Sequence, residues 1–157
     1  MSIEDRDLAI LGMLQKDAKI SAKKIGEKLN LPTTTIYSRI KKLEEKNIIQ
    51  GYTTRLNTQK LGWSTTAYVF VSALYTDQDT NEPIGQREIA QEIAKHPEVQ
   101  EVHIISGDWD LLVKLRSKDV ANVGDLVIDK IRAIKGVRTT LTSLVFNTVK
   151  DTNEIPL

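Results

Sequence analysis

The 157-residue chain has no cysteine, two histidines and four prolines, and only 5 % of its residues are aromatic. Without cysteine it can form no disulfide, no thiolate zinc site and no cysteine-held iron–sulfur cluster. His96 and His103 are seven residues apart, on different predicted elements and with no cysteine nearby, so no metal site is predicted. No apolar run approaches the roughly 18–20 residues of a bilayer span. The acidic start Met1-Ser2-Ile3-Glu4-Asp5 lacks a signal-peptide pattern. No membrane association is expected, and a cytoplasmic location is. Catalytic signatures are missing too: there is no G-x-S-x-G, P-loop or G-x-G-x-x-G stretch. Asp108 and Asp110 are a close carboxylate pair in a turn, and no acid–base constellation is seen around them. Neither an enzyme activity nor a cofactor is predicted.

What is present is ordinary globular composition: 40 % hydrophobic and 27 % charged residues, with 22 basic against 21 acidic side chains for a net +1. That balance conceals an asymmetry. Residues 1–56 carry 11 basic and 7 acidic groups, a net +4, and residues 57–157 carry 11 and 14, a net −3. The excess is densest over 16–46, with 9 basic and 4 acidic groups. This segment suits a polyanion or a solvated helical surface, and charge alone does not choose.

Hydrophobic spacing divides the chain. In the first third Ile3, Leu8, Leu11 and Leu14 form a helical stripe with Ile10 beside it. Ser21 is a predicted N-cap for a short second helix built on Ala22, Ile25 and Leu29. Asn30 stands where a left-handed C-terminal cap belongs. Thr33 or Thr34 begins a third helix with Ile36, Ile40 and Leu43 inward. Ile48–Thr54 reads as a short hairpin turning at Gln50-Gly51, or as one strand with a glycine kink.

After Gly62 the period changes. The sequence predicts strand 64–75, helix 86–95, strand 99–106, a turn at Gly107-Asp108-Trp109-Asp110, strand 111–116, helix 118–134 and strand 137–149. A polar, mobile loop is expected around 77–83. The order β-α-β-β-α-β is the split βαβ of a ferredoxin-like sandwich. The first strand is apolar on both faces, with Ala67, Val69, Val71 and Ala73 on one and Tyr68, Phe70 and Leu74 on the other. Helices cover one face only, so the second is expected to pack against another copy of the chain.

Ile20–Asn47 forms a helix, a tight turn and a longer helix with threonines at its start, which is the pattern of a helix-turn-helix. A helix that enters the major groove must be slim and polar outward. Thr34, Ser38, Lys41 and Lys42 face outward, flanked by Tyr37 and Arg39, with Thr33 and Thr35 in the first turn. Threonine can touch base edges, and Arg39 and Lys42 can reach bases or phosphates. Lys19, Lys23, Lys24 and Lys28 on the preceding helix are candidates for phosphate contacts. A plain three-helix bundle with a solvated basic face would carry the same residues.

The run from Ile20-Ser21 through Leu29-Asn30-Leu31-Pro32-Thr33-Thr34-Thr35-Ile36 to Ile48-Ile49-Gln50-Gly51-Tyr52 resembles the leucine-responsive regulatory protein/AsnC family, the feast/famine regulators. Val99-Gln100-Glu101-Val102 followed by Ser106-Gly107-Asp108-Trp109-Asp110-Leu111 is similar to the family's sensing domain. The resemblance covers roughly residues 3–149. It implies an α+β protein: a winged-type helix-turn-helix at 1–54, a linker strand or hinge at 55–63, and a ferredoxin-like βαββαβ domain at 64–150 for effector binding and oligomerisation. Residues 151–157 would be a polar tail. It further implies a transcriptional regulator that binds a pseudo-palindromic site in double-stranded DNA. Homodimers would assemble further, to an octamer of four dimers, with an amino acid bound between dimers.

On this resemblance Gly107, Asp108, Trp109 and Asp110 line the effector pocket. Asp110 can accept hydrogen bonds from an α-ammonium group. Thr140, Thr142 and Ser143 on the last strand could add hydroxyls, though ordinary strand propensity also accounts for them. Asp110 could equally satisfy backbone amides of its own turn. Three features depart from the family pattern: Asn30 replaces a turn glycine, Pro32 replaces a capping serine so that Thr33 would cap, and loop 76–85 is long. Two other readings remain open. One is a tetrapyrrole-side-chain decarboxylase of similar fold, which should lack the basic recognition helix. The other is an architectural DNA-binding protein with no effector.

Overall fold

The fold is a computed structural model that describes residues 3–76 and 80–157. The chain forms two compact units. One is helical and comprises the chain up to Leu56 together with Val149–Leu157; the other is Asn57–Thr148.

The helical unit contains α1 (Asp5–Lys16), α2 (Ala22–Leu29) and α3 (Thr33–Glu45). Each boundary has a local cause. The Ser21 hydroxyl accepts the Lys24 N–H at 3.2 Å and caps α2. Asn30 takes the left-handed conformation, φ 51°, and its N–H returns to the Gly26 carbonyl. Gly26 is required by a close approach: a Cβ there would lie 2.6 Å from the Leu31 carbonyl oxygen. The α2–α3 turn therefore sits directly on α2. Ile10, Ala22, Ile25 and Ile36 form the buried centre.

Several expectations need correction here. Ile10, read as lying beside the α1 stripe, is its fully buried residue, while Ile3 is exposed. Thr33 does not cap α3. Pro32 occupies that position, no side chain caps the helix, and the Pro32 carbonyl accepts from Thr35 and Ile36. Ile48–Thr54 forms neither hairpin nor strand. The Ile48 and Ile49 amides bond to the Leu43 carbonyl at the end of α3, and the Tyr52 hydroxyl donates to Glu44. These bonds take the first two amides of the segment to the helix end, away from a hairpin ladder. Within 151–157, read as a polar tail, Ile155 is tied to α1. Gln15 donates its side-chain amide to the Ile155 carbonyl and accepts the Ile155 N–H.

The second unit is the expected α+β layer. Strands β1 (Thr65–Ala73), β2 (Val99–Ile104), β3 (Leu111–Ser117) and β4 (Val137–Leu144) form one antiparallel sheet in the order β2-β3-β1-β4. This is the strand order that β-α-β-β-α-β demands. Helix α4 (Gln86–Ala94) and helix α5 (Val120–Asp125), extended by a π-turn over Leu126–Ile131, cover one face. The core between them joins Ala67, Val69 and Val71 with Val113, Ile93 and Ile131, among others.

The departures are local. The linker 55–63 holds no strand. Asn57 and Thr58 organise a turn through Lys60, Leu61 and Trp63. The helix expected over 118–134 starts later, capped by the Asp119 carboxylate on the Asn122 N–H, and widens at Leu126. Val120, in its first turn, is exposed. β4 ends at Leu144, opposite Ala67, and one further bond runs from the Val145 N–H to the Thr66 carbonyl. Of the loop 76–85, Asp77, Gln78 and Asp79 lie outside the described residues, so its expected mobility does too. Thr76 and Pro83 pair across it.

Candidate functional site

Two sites were expected, one in each unit. On α3, Ile36 and Leu43 are buried, and the opposite side is open. Thr34, Tyr37, Ser38, Lys41 and Lys42 are exposed, whereas Thr33 and Thr35 are half-buried. Lys23 and Lys24 are exposed at the start of α2, behind the cap. Thr34, Ser38 and Lys42 follow one another at four-residue spacing and so form one outward stripe. They line a groove that continues to Lys46 at the end of the helix. Sequence reasoning missed Lys46, whose only signal was its place just past the last helical turn.

Arg39 departs from its expected position. Its guanidinium turns back onto α1 and meets the carboxylates of Asp7 at 2.8 Å and Glu4 at 2.9 Å. Only 22 % of the side chain remains exposed. The Asp7 hydrogen bond, then that of Glu4, raises the guanidinium pKa above its ordinary value. Arg39 fastens the third helix to the first and, with Glu4 and Asp7, lines the same groove as Thr34, Ser38 and Lys42. The periodicity placed it at the edge of the outward face and could not show that α1 brings two acids to that edge.

In the second unit the turn after β2 closes through the Ile105 N–H on the Asp110 carbonyl. Gly107, with φ 117°, supplies a conformation that a side chain would strain. Asp108 is exposed. The Trp109 ring lies 6.0 Å from that of Phe70, on the sheet face away from the helices. Asp110 continues the sheet where the ladder ends. Its N–H donates to the Val71 carbonyl, and one carboxylate oxygen accepts the Ala73 N–H at 2.8 Å. The other oxygen accepts the Tyr75 hydroxyl and the Gln86 amide. These donors, led by the Ala73 N–H, and the charge of Arg138 hold the Asp110 carboxyl below its ordinary pKa.

Tyr75, Gln86 and Arg138 were not singled out in the sequence. Each belongs to a different element, and only the fold brings them to Asp110. The three hydroxyls on β4 do not act as a set. Thr140 and Thr142 pair with Val71 and Val69, and so share the helix-covered face. Ser143 pairs with Tyr68 and points the other way. Thr140 already accepts from the Arg132 guanidinium at 2.8 Å.

Among the described residues no group of three His, Asp or Glu side chains could hold a metal ion, and no helix is long and apolar enough to cross a membrane.

Comparison with known proteins gives two family matches. Residues 66–155 match the family model of the Lrp/AsnC ligand binding domain, and residues 3–50 that of a winged helix-turn-helix DNA-binding domain. The chain is 40 % identical over 149 residues to the HTH-type transcriptional regulator PF0250 of Pyrococcus furiosus, covering 95 % of this chain and 96 % of that one. It is 33 % identical over 158 residues to the HTH-type transcriptional regulator FL11 of Pyrococcus abyssi, covering 100 % and 98 %. Its fold is similar to the crystal structure of a Neisseria meningitidis transcriptional regulator solved as an L-Met complex. The TM-score is 0.89 at 22 % identity, covering 99 % of this chain and 97 % of that one.

Proposed function

Because the chain belongs to the Lrp/AsnC family of transcriptional regulators, we propose that it is a DNA-binding regulator whose assembly or DNA affinity responds to an amino acid. The outward stripe Thr34, Ser38 and Lys42 supports the DNA reading. These residues offer hydroxyls, methyls and a cation to base edges and phosphates, with Lys23 and Lys24 adding phosphate contacts. Two copies joined through the uncovered sheet face would present two such helices to adjacent major grooves, which suits a pseudo-palindromic site. The same assembly extended to four dimers would make an octamer. A cytoplasmic location accords with this role.

The effector is proposed to bind at the turn Gly107–Asp110, in a pocket completed by a neighbouring dimer. Amino-acid chemistry is favoured by the L-Met bound in the Neisseria regulator of similar fold. Ligand binding would shift DNA affinity by its differential affinity for two assemblies.

A thermal-shift screen against the twenty L-amino acids tests the effector. A ligand at 100 times its Kd adds about 2.7 kcal/mol. A selective shift is expected. No shift with any of the twenty would favour a second reading, an architectural DNA-binding protein in which the β-domain serves assembly alone. One observation supports that alternative: the Asp110 carboxylate is already used by three groups of its own chain.

A further inference from the structure

The C-terminal segment lies with the helical unit, although β4, which leads into it, belongs to the other unit. Two of its contacts define how it is held. The side chain of Gln15, near the end of α1, pairs with the backbone of Ile155 in both directions: Nε2–H to the carbonyl at 3.2 Å and Oε1 from the N–H at 2.8 Å. An amide side chain here reproduces the reciprocal pairing of two strand residues. Nearer β4, Asp151 meets Arg55 at 3.4 Å. Ile155, Pro156 and Leu157 then line a groove with Leu8, Met13 and Ile20 of the helical unit. Ile155 and Leu157 remain more than half exposed, so the segment is laid on the surface.

The same helix makes a second attachment. Two turns earlier, Asp7 holds Arg39 of α3. The eight residue steps from Asp7 to Gln15 span about 12 Å of helix. α1 therefore touches the C-terminal segment at one end and the recognition helix at the other.

We propose that Glu154–Leu157 is a strap, docked in cis on the C-terminal half of α1, which steadies α1 and through it the recognition helix held by Asp7 and Arg39. The strap is the continuation of β4. The chain that continues from β4 thus returns to the helical unit and is held there by hydrogen bonds and side-chain contact. Release of the strap leaves the C-terminal half of α1 held by the packing of Met13 and Leu14 on the helical core.

Hydrogen exchange on the full-length protein tests this, with two variants. One ends at Thr152, and the other, Gln15→Leu, keeps the whole chain and a good helix former while removing both hydrogen bonds. Amides in the second half of α1 are expected to exchange about tenfold faster in both, with the β-unit unchanged. A peptide of Asn153–Leu157 should restore slow exchange to the shortened chain. Affinity for a DNA fragment selected by the intact protein should fall in parallel in Gln15→Leu. Should the shortened chain unfold, Gln15→Leu decides alone. Unchanged α1 exchange in that variant overturns the strap. Faster exchange with undiminished DNA affinity overturns the relay to α3. Protection in the intact protein that falls on dilution would mean that a second copy supplies the segment, and overturns docking in cis.

Discussion

The Arg39 guanidinium sits 2.8 Å from the Asp7 carboxylate, joining the recognition helix to the first helix across 32 residues of chain. Both side chains are largely covered, with 22 % and 18 % exposed. Removing one partner would leave a charged group short of its hydrogen bonds, a loss of about 1.5–3 kcal/mol for a bond of this kind. Arg39→Ala is therefore expected to lower stability by that order, measured by urea denaturation. Asp7→Asn should cost less, because an amide oxygen still accepts.

The same geometry separates Arg39 from Lys42 in DNA binding. Each phosphate contact contributes about 0.9 to the slope of log K against log salt. Lys42→Ala is expected to lower that slope by about one contact. Arg39→Ala should weaken binding with the slope unchanged, because Arg39 acts on the helix position. A slope that drops equally in both variants would place Arg39 on the phosphates instead.

A contrast between two glycines tests the packing of the helical unit. Gly12 lies inside α1, and a Cβ there would meet nothing within 4 Å. Gly12→Ala should stabilise by about 0.5–1 kcal/mol through helix propensity alone. Gly26→Ala would drive a methyl group to 2.6 Å from the Leu31 carbonyl oxygen, and the turn would have to shift. It is expected to destabilise, with thermal midpoints moving in opposite directions for the two variants.

Asp110 supplies a pH test. Its carboxyl is depressed below the ordinary value of 3.8, first by the Ala73 N–H and then by the Tyr75 hydroxyl. A depressed folded pKa stabilises above the unfolded value and ceases to do so as pH falls through the folded one. Asp110→Asn should accordingly be less stable than the parent at pH 6, and the gap should close as pH falls below about 4. Denaturant titrations at pH 6 and pH 3 measure it. A gap of equal size at both would assign the effect to packing rather than to charge.

The residues that the sequence made legible are those whose role depends on neighbours along the chain. Ser21 caps, Asn30 turns left-handed, and alternation over Ala67–Ala73 sets the buried face of β1. Long strands and amphipathic helices repeat their signal many times. The residues misplaced depend on partners far away. Arg39 needed Asp7 and Glu4; Asp110 needed Tyr75 and Gln86; Ile155 needed Gln15, 140 residues distant. Ser143 was grouped with Thr140 and Thr142 by residue type, and strand alternation divides them. Ile48–Thr54 carries strand-forming residues, but the end of α3 takes its first amides.

The uncovered sheet face provides the test of assembly. Phe70 pairs across the sheet with Leu112 on one side and Leu141 on the other, all on the face away from the helices. Leu141 is 49 % exposed within the single chain. Aspartate at that position can therefore keep its carboxylate in water while the monomer folds, at little cost to the core. At an interface between two sheets the same carboxylate would be desolvated without a partner, which costs several kcal/mol. Leu141→Asp is expected to leave the circular dichroism spectrum intact and to shift sedimentation toward the monomer. Ser143→Asp, two residues along on the same face, should act in the same direction if the interface covers the whole sheet. Sedimentation unchanged in both variants would put self-association on another surface of the chain.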